Sequence, residues 1–202
     1  MRPRNLMAMD IALLLPDGVN EQARAVNAAL LAERPDGFRF DATHLPHITL
    51  VQQFVQRANL PALMERMDSV LGVASPLMLR INGVGSSGTA AHFAIEPTPV
   101  LRRLHETLMD AVQPLEEAGG SAAAFFADQD SARENDVAWV NQFRSHSSYA
   151  RFSPHITLGV GPLPEFRESF EFTACRAALC HLGRYCTCRV VLREWSLGAV
   201  DT

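Results

Sequence analysis

Pro46-His47-Ile48-Thr49-Leu50 occurs twice in this chain, the second time as Pro154-His155-Ile156-Thr157-Leu158. The copies stand a little over half the chain apart, so the repeat points to an internal duplication rather than a local tandem. Ile-Thr-Leu is β-branched and apolar, which favours a strand. In a strand, residues two apart share a face. His47 and Thr49 therefore point one way and Ile48 and Leu50 the other, and the second copy repeats the arrangement with His155 and Thr157. Each copy offers an imidazole and a hydroxyl on one face and anchors itself in the core with the other. Pro46 and Pro154 suit a strand start, where the missing N–H does least harm.

Outward from the first copy, Met7–Leu15 reads as a strand and Val19–Glu33 as a helix, with Val26, Ala29 and Leu30 at helical spacing. Phe38–Phe40 reads as a further short strand. Leu60–Leu71 is a helix with Pro61 in its first turn. Leu77–Val84 and Ala90–Ile95 form a hairpin, and Thr98–Leu115 a long amphipathic helix capped near Thr98. Asn135–Arg144 is helical, Gly159–Pro164 turn-rich, and Phe170–Leu182 and Cys186–Leu197 are two strands around Gly183-Arg184. Strand, helix and motif strand thus recur in the same order. This predicts an α+β, bilobal, duplicated fold with pseudo-twofold symmetry: one domain over 1–202, with a first lobe of about 1–95 and a second of about 96–202.

Two such strands facing one cleft would place two imidazoles and two hydroxyls around one position. Cleavage of a phosphodiester asks for that set. One imidazole takes a proton from the attacking oxygen and the other gives one to the leaving oxygen, and histidine titrates near neutrality. Hydroxyls can hold the non-bridging phosphate oxygens. Which histidine is acid and which is base stays open at this level.

The paired motifs resemble the H-x-T-x motifs of the 2H phosphoesterase superfamily, which includes the 2′-5′ RNA ligase-like proteins and the 2′,3′-cyclic nucleotide phosphodiesterases. The resemblance spans most of the chain, including the late hairpin ending at Trp195-Ser196-Leu197. It implies two antiparallel sheets with outer helices around a concave cleft, and hydrolase action on cyclic phosphates or 2′-5′ linkages with no metal or other cofactor. Carried over by position, His47 and His155 are the catalytic pair, and Thr49 and Thr157 the phosphate ligands. The chain departs from small bacterial members in a longer gap between motifs and an acidic balance. An alternative is a nucleotide- or RNA-end-binding module that keeps the cleft without turnover.

Around the motifs, Arg151, Tyr149, Phe152, Phe54 and His44 are candidate substrate contacts: an arginine fork for phosphate, aromatic rings for a base, and an imidazole in the entry loop. His92, His105, His146 and His181 carry no motif and read as solvent-facing or structural. The net charge is −4, which disfavours a grip on long duplex nucleic acid and favours a small nucleotide or RNA-end phosphoester. Apolar runs fall short of the ~18–20 residues of a membrane span. The run Ile11–Leu15 is too short for a secretory signal, so the expectation is a cytoplasmic monomer. Cys175, Cys180, Cys186 and Cys188 lack paired C-x2-C spacing and read as reduced thiols in the C-terminal hairpin rather than a zinc centre.

Overall fold

The computed structural model describes residues 5–127, 131–162 and 169–198; part of the Gly159–Pro164 stretch lies outside them. In chain order the elements are β1 (Leu6–Leu14), α1 (Asp17–Glu33), β2 (His47–Gln56), α2 (Leu60–Leu71), β3 (Leu77–Ser87), β4 (Ala90–Ile95), α3 (Pro99–Val112), β5 (Glu116–Glu117), α4 (Glu134–His146), β6 (His155–Val160), β7 (Phe170–Ala174), β8 (Arg176–Leu182) and β9 (Cys188–Ser196). They build two antiparallel sheets, ordered β5-β2-β1-β8-β9 and β6-β4-β3-β7.

Each motif strand has its own sheet, but the sheets do not follow a division at residue 95. The β3–β4 hairpin joins the second motif's sheet, and the β8–β9 hairpin joins the first. The stretch read as one strand over Phe170–Leu182 is two strands broken at Cys175. β7 pairs with β3 and β8 with β1, so the chain changes sheet there. Each half lends its hairpin to the other half's sheet, which makes the two lobes inseparable.

The helices are exchanged in the same sense. α1, which follows β1, packs on β6, and α3, which follows β4, packs on β2. α1 buries Val19, Ala23, Asn27 and Leu30; of the expected Val26, Ala29 and Leu30, Leu30 is buried, Val26 packs half-buried on the core and Ala29 is exposed. α3 buries Leu101, His105, Leu108, Met109 and Val112, and the Thr98 hydroxyl caps it by accepting from the Leu101 amide. α2 turns Leu63, Met67 and Leu71 inward. Asp68 on α2 accepts the Trp195 indole N–H at 2.7 Å, tying that helix to β9.

Phe38 and Phe40 are buried without forming a strand. Their main-chain groups bond the buried Asn27 amide instead: Nδ2 donates to Phe38 O and Oδ1 accepts from Phe40 N, at 3.0 and 2.9 Å. A side chain that satisfies a segment's donors and acceptors removes its need for a ladder.

Candidate active site

Both motif strands carry a bulge at the same residue. The β1–β2 register passes from Ile11↔Val51 to Ala12↔Thr49, leaving Leu50 unpaired. The β4–β6 register passes from Ala91↔Gly159 to His92↔Thr157, leaving Leu158 unpaired. The duplication therefore extends from the five letters to the backbone. An extra residue in one strand reverses the alternation beyond it. In β2 the bulge puts Gln52, rather than Val51 or Gln53, on the side occupied by Thr49. Gln52 Nε2 lies 3.3 Å from Thr49 Oγ1.

A buried helix side chain caps each bulge carbonyl from the opposite lobe. His105 of α3 donates from Nδ1 to Leu50 O at 2.7 Å. Asn27 of α1 donates to Leu158 O at 2.8 Å. His105 Nε2 accepts the Tyr149 amide at 2.9 Å, and its ring stacks on Phe152 at 3.9 Å. His105 thus holds the first motif strand and the loop entering the second. With one nitrogen donating and the other accepting, the ring is neutral, and burial lowers its pKa.

The catalytic candidates match in their backbone anchoring. His47 Nδ1 bonds Leu45 O at 2.8 Å, and His155 Nδ1 bonds Ser153 O at 2.9 Å, each two residues upstream. A carbonyl accepts only from N–H, so Nδ1 is protonated in both and Nε2 carries the variable proton. Both histidines and both motif threonines line one cleft of about 830 Å³, within the range of small-molecule sites.

Beyond that the environments diverge. Asp10, fully buried on the central strand β1, lies with Oδ2 3.5 Å from His47 Nε2. The same oxygen accepts from Thr49 Oγ1 at 2.8 Å and Gln52 Nε2 at 2.7 Å. Gln52 in turn accepts the Trp139 indole N–H at 2.8 Å, so α4 braces the assembly. Burial alone would lower the pKa of His47, but the hydrogen bond and charge of Asp10 outweigh it and the net shift is upward. His155 has a histidine neighbour instead, His92, with ring centroids 4.9 Å apart. Burial pushes the pKa of His155 down and the nearby His47 adds to the lowering, against the Ser153 carbonyl and a weaker pull from the Asp10 charge.

Comparing the registers locates this asymmetry. Asp10 and Gln52 face each other where the second sheet has Ala90 and Val160. His92 and Thr157 face each other where the first has Ala12 and Thr49. Asp10, Gln52 and His92 were not legible as site residues. Asp10 sits inside an apolar strand run, strict alternation sends Gln52 to the wrong face, and His92 belongs to no motif. A charged residue in the middle of an otherwise apolar strand was the one available signal for Asp10.

The flanking candidates separate. Arg151 and Phe152 line the cleft; Phe152 is buried against His105, and Arg151 donates from Nη1 to Ser145 O. Tyr149 turns away, its hydroxyl donating to Asp110 at 2.7 Å and accepting from Arg144 at 2.8 Å. Phe54 is fully buried in a separate cluster, edge-on to Phe125 at 5.8 Å, so its ring is unavailable to a base. His44 is held by Asp41, 3.1 Å from its Nδ1, outside the cleft lining. His181, expected at the surface or in a structural role, is buried and bonds Ala124 O at 2.9 Å. The unforeseen aromatic wall comes from Phe38, Phe40, Tyr185 and Trp139, with the Arg133 guanidinium 3.8 Å from the Tyr185 ring centroid.

The sequence profile of the 2′-5′ RNA ligase superfamily matches residues 16–181. The chain belongs to that family. The solved structures it is similar to include TT0787 of Thermus thermophilus (TM-score 0.59, 19% identity, covering 96% of this chain and 100% of that one). Another is E. coli LigT complexed with 3′-AMP (TM-score 0.58, 18% identity, 96% and 99% covered). A third is described as a phosphoesterase (TM-score 0.53, 16% identity, 96% and 99% covered). At these identities the likeness shows a shared fold. No curated protein matches the chain in sequence at significance. Among the described residues, no helix is long and apolar enough to cross a membrane.

Proposed function

We propose that this protein is a hydrolytic phosphodiesterase acting on 2′,3′-cyclic phosphate or 2′-5′ linkages of nucleotides or RNA ends, with His47 as general acid and His155 as general base. The observation that carries it is the pair of motif histidines in one cleft, both fixed as Nδ1–H tautomers, with a carboxylate behind only one of them. Asp10 favours the imidazolium of His47, which then has a proton on Nε2 for the leaving ribose oxygen. No carboxylate lies in hydrogen-bond contact with His155 among the described residues, so its neutral Nε2 accepts a proton from the attacking water. After cleavage the two have exchanged a proton through substrate and product, and solvent resets them.

The threonines divide by the same asymmetry. The Thr49 hydroxyl donates to Asp10 and accepts from Gln52 Nε2, so its proton is committed. Thr157, in the half-site without a carboxylate, is the better donor to a non-bridging oxygen. The aromatic wall suits a base, and similar structures described as holding 3′-AMP, NADP+ and ATP support a nucleotide-sized occupant.

The test is incubation of EDTA-treated protein with the four 2′,3′-cyclic mononucleotides and a 2′-5′-linked dinucleotide, with products resolved by chromatography. Turnover that survives EDTA and disappears in both His47→Ala and His155→Ala is expected. Full activity in either variant would overturn the paired mechanism. Tight nucleotide binding with no turnover on any of these substrates would instead favour a binding module.

A further inference from the structure

Behind His47 lies a donor set that joins two groups of the proposed reaction to a thiol which that reaction does not use. Asp10 of β1, His47 at the start of β2 and Cys188 at the start of β9 bring an oxygen, a nitrogen and a sulfur within 4.8 Å of one another. His47 Nε2 and Asp10 Oδ2 are already 3.5 Å apart. Asp10 is fully buried, yet its second oxygen, Oδ1, accepts no hydrogen bond from any described residue. A buried carboxylate oxygen without a donor is costly unless something positive meets it. Cys188 is buried in a cluster with Ala12, Leu14, Ala178 and Cys180, with Leu45 packed against it. Main chain fixes it, since the Leu45 amide donates to Cys188 O at 3.2 Å, placing the strand that carries the sulfur against the residue that anchors His47.

We propose that Asp10, His47 and Cys188 bind one zinc-class divalent cation, and that its binding switches His47 off. The inference rests on the reading of His47 as a catalytic group. Zinc takes sulfur at ~2.3 Å, imidazole nitrogen at ~2.0–2.1 Å and carboxylate oxygen at ~2.0–2.2 Å in a tetrahedron. That geometry sets neighbouring donors about 3.3–3.7 Å apart, so closure around a cation draws the three donors inward by no more than about 1.5 Å. The thiolate selects zinc-class ions over magnesium or calcium, which prefer all-oxygen shells. On binding, Cys188 gives up its thiol proton to solvent, and His47 gives the cation the Nε2 lone pair that a proton otherwise occupies. Metal and transferable proton then compete for one atom, and one bound ion excludes general-acid action.

The experiment titrates Co²⁺ into reduced, EDTA-stripped protein that has been freed of chelator, following absorption. One equivalent with a near-ultraviolet thiolate-to-cobalt band is expected. The band should vanish in Cys188→Ser and in Cys188→Ala and persist in Cys186→Ser and Cys180→Ser. No band, or a band that survives both Cys188 variants while those proteins remain folded by circular dichroism, overturns the site. In the second arm, Zn²⁺ should abolish turnover and EDTA should restore it. Cys188→Ser should keep basal turnover and need at least about tenfold more zinc for the same inhibition. Equal zinc sensitivity in Cys188→Ser overturns the switch. A Cys188-dependent cobalt band in a protein that turns over no substrate leaves the site standing and removes the phosphodiesterase reading instead.

Discussion

The two half-sites share a pentapeptide, a bulge and a histidine anchored on the carbonyl two residues back, and they differ in what the neighbouring strand supplies. Beside His47 that strand gives Asp10, whose carboxylate also gathers Thr49 and Gln52. Beside His155 it gives Ala90 and His92. Duplication supplies two equivalent imidazoles, but transfer in one direction needs inequivalent ones, a filled donor facing an empty acceptor. A single buried carboxylate on a strand outside the motif provides the difference.

The largest effects should come from removing either imidazole. His47→Ala and His155→Ala are each expected to lower kcat by ~10²–10⁴-fold, read by steady-state kinetics. The comparison sharpens with Asp10→Asn, expected to cost about tenfold or more at neutral pH. Asp10 raises the pKa of His47, so its loss makes His47 shed its proton at lower pH. The alkaline limb of the pH–rate profile should move toward acid in Asp10→Asn by more than the acid limb set by His155, on which the Asp10 charge acts more weakly. Thr157→Ala should lose more turnover than Thr49→Ala, because the Thr49 proton is already committed to Asp10. The reverse order would break the inequality between half-sites.

The bulge caps give a smaller effect on stability. His105→Leu strands the Leu50 carbonyl and the Tyr149 amide, and Asn27→Leu the Leu158 and Phe38 carbonyls and the Phe40 amide, at a cost of ~1–3 kcal/mol for each group left buried, measurable by urea denaturation. The pKa of His105 in the folded state lies below its unfolded value because burial disfavours the cation. Its stabilisation is therefore complete above the unfolded value of about 6.5 and is lost as pH falls through the folded one. Wild type should lose stability over that descent more steeply than His105→Leu, which has no proton to take up there.

The features legible in the sequence were those with a period or a repeat. The motif strands, α2 at its observed bounds, the amphipathic character of α3 and the cap near Thr98 all follow from spacing and residue type. Long-range pairing was not legible. Nothing in Phe170–Leu182 marks Cys175 as the point where the chain changes sheet, because either sheet accepts the same apolar alternation. Phe38 and Phe40 read as strand because aromatic residues favour one, while the groups that bond their backbone lie on Asn27, a polar residue in a helix. Gln52 was hidden by a bulge that leaves no letter of its own, since Leu50 suits a bulge no better than a regular strand. Asp10, the residue that distinguishes the two half-sites, carries a charge in a strand otherwise apolar from Leu6 to Leu14, and its meaning depends on which strand it lies beside.

The paired mechanism turns on His47 holding its proton more tightly than His155. NMR titration of the imidazole carbon and nitrogen resonances, assigned through His47→Ala and His155→Ala, tests this without a substrate. Nδ1–H tautomers are expected for both neutral rings, with His47 titrating at higher pH than His155 and the gap narrowing in Asp10→Asn. His155 titrating above His47, or a gap unchanged by Asp10→Asn, would contradict the mechanism.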